Sequence, residues 1–155
     1  MTQLLFHFGV AFFATIAFGI VFYAPPKTLP CSALTGACGY IAYYIMSNYM
    51  VNSEIMGCVL GGVIIALMSE FFAFIQKNPV TAYEMPAIMP LVPGIGLYRT
   101  MISFLEKNTI EGVNYLFQTI LCAGSIAIGL ILTEAAAQVW LRKNTKAEEK
   151  AENNT

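Results

Sequence analysis

Four apolar stretches, residues 4–23, 31–46, 55–75 and 113–132, are separated by short polar or proline-marked connections, and a fifth, residues 85–99, is interrupted by proline and glycine. Crossing a hydrocarbon core of about 30 Å takes about 20 residues of helix at roughly 1.5 Å each. The first, third and last stretches reach that length, and the second is shorter and rich in small residues. The pattern predicts an all-α integral membrane protein with about five transmembrane helices, one of them broken by a Pro/Gly-rich motif. Residues 1–141 form one transmembrane domain. Residues 142–155, charged and poor in apolar groups, are expected to be a disordered cytoplasmic tail.

The interrupted stretch is the most informative. Pro86, Pro90 and Pro93 lack the N–H that a helix interior uses, and each ring crowds the carbonyl four residues back. Met89 and Val92 precede prolines and are pushed toward extended backbone. Gly94 and Gly96 tolerate angles that other residues resist. Irregular backbone at membrane depth survives only where protein or a water-lined cavity satisfies it, so the remaining helices are expected to shelter this segment. A discontinuous helix also leaves unpaired N–H groups at a positive half-helix end, which suits an anion. Pro90, Pro93, Gly94, Gly96, Tyr98 and Arg99 are therefore the candidate substrate-binding set, with Tyr98 as a hydrogen-bond partner. Arg99 either pairs a carboxylate bidentately or anchors its helix to headgroups. The competing reading of the whole stretch is a kink that only shapes packing.

Elsewhere, small residues recur at helical spacing: Gly9, Ala11, Ala14, Ala17 and Gly19 in the first segment, Gly57-x-x-x-Gly61 in the third, and Ala123, Gly124, Ser125, Ala127 and Gly129 in the last. These permit close helix contact. Glu70 lies inside the third segment, where an ionised carboxylate facing lipid is costly; it is either a proton-coupling group or an interfacial one. Glu134 is assigned to the interface marked by Trp140, Arg142 and Lys143. Tyr40, Tyr43, Tyr44 and Tyr49 read as an interfacial belt or as the lining of a polar path. His7 reads as a packed or interfacial histidine.

Composition agrees with a membrane domain: 57% of the 155 residues are hydrophobic and 11% charged, with a mean hydropathy of +0.66, whereas soluble domains carry about a quarter charged residues. A formal net charge of −1 provides no basic stripe for nucleic acid. Cys31, Cys38, Cys58 and Cys122 form no C-x-x-C pair and are expected as small buried apolar residues; with one histidine, no metal and no cofactor is implied. An enzyme would need a nucleophile with its base or a carboxylate pair at depth, and the pattern reveals none. The first segment lacks a positive n-region and is expected to be a retained span. Five crossings with the N-terminus outside place Lys27, Lys77, Arg142, Lys143, Lys146 and Lys150 inside and Arg99 and Lys107 outside; four crossings with a re-entrant stretch divide them evenly. The positive-inside bias favours five spans and a cytoplasmic C-terminus.

The chain resembles the small ThrE_2-type subunits of the threonine/serine exporter family. The resemblance covers most of the chain up to about residue 105. It is carried by Phe22-Tyr23-Ala24-Pro25, Gly36-x-x-Gly39, Ser69-Glu70, Lys77-x-Pro79 and, most specifically, Pro90-Leu91-Val92-Pro93-Gly94 with Tyr98 and Met101. It implies a subunit of a bacterial inner-membrane exporter of small metabolites, either amino acids such as threonine and serine or dicarboxylates such as succinate. A longer partner subunit with a cytoplasmic domain, or a homo-oligomer, would complete the pathway. A scaffold that only stabilises a larger membrane partner is the reading from another class. Two positions depart from the family pattern: Tyr23 where asparagine is common, and Phe74 where an arginine four residues after Glu70 is common.

Overall fold

Six helices account for most of the chain: α1 (Thr2–Val21), α2 (Leu29–Ile45), α3 (Glu54–Gln76), α4 (Thr81–Ile88), α5 (Gly94–Leu105) and α6 (Thr109–Glu152). The structure, a computed structural model, describes residues 2–50 and 53–152, with side chains described for 3–48, 53–137 and 139. A π-helical turn, Met46–Met50, continues α2, and a 3₁₀ turn, Met89–Leu91, follows α4. α1, α3 and α6 are long and apolar enough to cross a membrane, and α4 with α5, bent by 42° at their break, makes a fourth if taken as one span. The protein is an all-α, multi-pass membrane protein with three such helices, or four with the bent pair, against about five from the sequence pattern. The difference lies in α2, whose α-helical part is only 17 residues before the backbone loosens into the π turn. α6 is helical to Glu152, past the point where a disordered tail was expected; its Ala, Glu and Lys content there favours helix locally. The side chains of Trp140, Arg142 and Lys143 lie outside the described residues.

Small residues decide where these helices meet. A Cβ on Gly36 would strike the Thr15 hydroxyl and stand 3.2 Å from the Ala87 Cα, so α1, α2 and α4 converge there. A Cβ on Gly61 would lie 3.1 Å from the Gly39 carbonyl oxygen, which brings α2 backbone onto α3. Pro86 sits inside α4, contrary to the expectation that it helps break the chain. It is fully buried, and its ring packs where α1 presents Gly19. Tertiary packing here outweighs the lost backbone hydrogen bond.

The seam between α3 and α6 has a regular register. Gln118 Nε2 donates to Glu54 Oε2 at 3.1 Å, Cys58 and Cys122 share the buried core cluster, a Cβ on Gly62 would meet the Ile126 carbonyl oxygen at 2.9 Å, and Glu134 is a charged neighbour of Glu70. Each partner lies 64 residues further on, so the two helices run parallel. α5 and α6 instead form an antiparallel hairpin, with Gly112 against Phe104 and Gly96 against Thr119. α4 packs instead on α2 and α3, with Glu84 in the neighbourhood of Glu134.

Tyr23 takes a left-handed backbone, φ 54°, in the turn after α1 and is 95% exposed. That conformation is disfavoured for a bulky side chain and comparatively easy for asparagine, the residue type expected at this position from the family pattern. Tyr23→Asn should therefore raise stability by about 0.5–1 kcal/mol. A higher midpoint in detergent thermal unfolding checks this; an unchanged or lower one would mean the tyrosine ring contributes more than its backbone loses.

Candidate functional site

Pro93 builds the break. With φ −74° and ψ 59° it is the centre of a tight three-residue turn, in which the Gly94 N–H donates to the Val92 carbonyl at 2.7 Å. The first helical bond of α5 runs from Leu97 N to the Pro93 carbonyl at 3.4 Å. No side chain caps this end, so the N–H groups of Ile95 and Gly96 begin α5 without the intrahelical partners that later residues have. No glycine has positive φ, and Gly94 and Gly96 therefore serve through missing side chains. A Cβ on Gly96 would strike the Thr119 hydroxyl of α6, whereas one on Gly94 would have nothing within 4 Å.

The open space beside Gly94 is a cavity of about 360 Å³ between the break, the start of α3 and the start of α6. Pro90, Pro93, Gly94, Gly96 and Arg99 all line it, as five of the six residues in the candidate set. Tyr98 does not; it is 64% exposed on the outer side of α5. The phenol groups at the cavity come from Tyr40 and Tyr43 of α2 and Tyr115 of α6. Tyr44 packs on His7 with ring centroids 4.5 Å apart, and His7 Nδ1 lies 2.7 Å from the Gln3 carbonyl oxygen, a packed histidine. Two opposite charges border the cavity, Arg99 and Glu54, the latter held by Gln118. Cys58 and Cys122 lie deeper, both nearly fully buried. Beyond them Ile65, Ala87, Leu91 and Ile126 close the core, with Leu91 resting on Gly61.

Glu70 lies away from this cavity, on the far side of that apolar plug, with 16 residues of α3, roughly 24 Å, separating it from Glu54. It is half-buried, and Glu134 is a charged neighbour both of it and of Glu84. Glu84 is only 7% exposed, and the neighbours acting on it electrostatically are Glu134 and Glu70. Three helices, α3, α4 and α6, thus bring three carboxyl groups together. Sequence reasoning assigned Glu134 to the interface and passed over Glu84 and Glu54. One signal was present: Cys58, Ser69 and Glu70 recur as Cys122, Thr133 and Glu134 at the same offset of 64. Cys31 is half-buried and accepts from Gln76 Nε2 at 3.0 Å, and Tyr83 donates to Gln76 Oε1 at 2.9 Å. These contacts tie the beginnings of α2 and α4 to the end of α3.

A family profile described as "Threonine/Serine exporter, ThrE" matches residues 7–136. Among curated proteins, an uncharacterized protein of Haemophilus influenzae is 26% identical over 146 residues, covering 85% of this chain and 47% of that protein. A threonine/serine exporter of Corynebacterium glutamicum is 26% identical over 124 residues, 79% of this chain and 24% of the exporter. The chain spans about half the length of the first and a quarter of the second. No solved structure matches.

Proposed function

Since the chain belongs to the threonine/serine exporter family, we propose that it is one membrane subunit of a bacterial inner-membrane secondary exporter of small metabolites, and that the cavity at the α4–α5 break is its substrate site. The observation that carries this reading is the cavity itself: Arg99 and the uncapped start of α5 converge on space kept open by Gly94. Amino acids such as threonine and serine are the favoured substrates, with dicarboxylates the alternative. A longer ThrE-type subunit, or a second copy of this chain, completes the path.

The bent pair serves as one broken span. The parallel course of α3 and α6 supports this, because a re-entrant α4–α5 would return to the side it left and make α3 and α6 antiparallel. With α1 and the extended α2 also crossing, the total is five, the N-terminus is outside and the C-terminus cytoplasmic, and the cavity lies toward the outer face.

Glu70, with Glu84 and Glu134, couples export to protons. Carboxyl groups brought near one another on different helices link proton exchange to helix separation, because like charges repel. Glu84→Gln should slow proton-driven export by about tenfold and remove its dependence on a pH gradient, while exchange of substrate at equal pH continues. Export by Glu84→Gln and Glu70→Gln proteins that kept a normal response to the gradient would exclude this role.

Proteoliposomes containing the partner subunit with and without this chain test the function as a whole. Labelled amino acid should leave only when both are present and this chain is unaltered at Arg99. If Arg99→Gln and cavity-filling variants transport normally while omission of the chain only lowers the partner's abundance, the protein is a scaffold.

A further inference from the structure

The cavity is bordered by a carboxylate as well as a guanidinium, and this bears on what it selects. Arg99 comes from the second turn of α5, and Glu54 from the first residue of α3. Among the described residues, the contact that holds Glu54 is a hydrogen bond from Gln118 Nε2 to Oε2. That hydrogen bond orients the carboxylate beside the cavity. Tyr40, Tyr43 and Thr119, which carry neutral hydroxyls, line the same cavity.

Resting on the substrate site proposed above, we infer that Glu54, oriented by Gln118, is the specificity-determining residue that receives the substrate's ammonium group, opposite a carboxylate held by Arg99. A zwitterion then finds an opposite charge at each end. A dicarboxylate of the same length brings a second anion against Glu54, and an acid lacking the ammonium leaves that carboxylate unpaired. Sites that recognise a substrate through charged hydrogen bonds discriminate against analogues that lack or reverse the charge. Gln118 lines the cavity and serves as a positioning residue through its bond to Glu54.

The test uses the full chain in its native membrane assembly, in vesicles, with labelled serine as the transported probe. Unlabelled serine, glycerate (in which a hydroxyl replaces the ammonium), ethanolamine (decarboxylated serine) and succinate serve as competitors. In wild type, serine should compete far better than glycerate or succinate. Glu54→Gln should weaken competition by serine and ethanolamine by about tenfold or more, and leave glycerate and succinate within about twofold or improve them. Gln118→Leu should move the same ratio in the same direction by a smaller factor, with the carboxylate still present. A uniform loss for all four competitors would overturn the inference, since it would make Glu54 merely a favourable acid at the start of α3. Unchanged ratios in both variants would overturn it as well. Unchanged transport in Gly94→Leu would instead remove the site reading beneath it, so the two failures are separable.

Discussion

Gly94→Leu is expected to stop export while the protein folds and inserts normally. A Cβ at this position has nothing within 4 Å, and the backbone φ is not positive, so a side chain can start there without overlap at its first carbon and without backbone strain. It does project into the cavity that Arg99 and Glu54 border. The loss should be on the order of tenfold or more, the scale on which small displacements of a bound substrate act. Initial transport rates in vesicles, normalised to protein in the membrane, provide the measurement. Gly9→Leu is the matched control, because that glycine also has open space around it but lies on α1, away from the cavity. Normal export by Gly94→Leu at normal abundance would show that substrate passes elsewhere.

The second large effect concerns stability. Gly129→Leu should prevent α3 and α6 from closing, because a Cβ there would lie 2.7 Å from the Val59 carbonyl oxygen and 3.3 Å from the Val63 nitrogen. Both are backbone atoms of α3 and cannot swing aside as a side chain would. Overpacking of this kind destabilises by about 3 kcal/mol or more, and the separation would also pull Glu134 from Glu70 and Glu84. Gly124→Leu, five residues earlier on the same helix, should be close to neutral, since nothing lies within 4 Å of it. Thermal unfolding in detergent should show a large drop for the first variant and little change for the second. Equal midpoints for the two would refute the packing described for this seam.

This pair of glycines also marks how far the sequence could be read. Ala123, Gly124, Ser125, Ala127 and Gly129 look like one small-residue face, and composition cannot tell which of them a neighbour occupies. Glu134 shows the same limit. Six residues from Trp140, it reads as an interfacial acid until α4 delivers Glu84 to it. Glu54 reads as an ordinary polar residue in a connection, and Tyr98, attractive by its nearness to the proline motif, faces outward. Its place is taken by Tyr40, Tyr43 and Tyr115, residues far from the motif in sequence.

By itself the sequence determined the features that arise from local chemistry. Apolar runs of membrane length must be helical, because lipid leaves backbone groups no other partner. Pro93 must interrupt its helix, since it has no N–H to give, and the glycines beside it leave open backbone next to an arginine. The tertiary structure alone decided which side chains share a site. That choice depends on helix register: the constant offset of 64 that pairs α3 with α6, and the bend that sends α4 toward the glutamates while α5 opens the cavity. Register is set by where small residues let backbones touch, a property of two helices together that neither one's sequence contains.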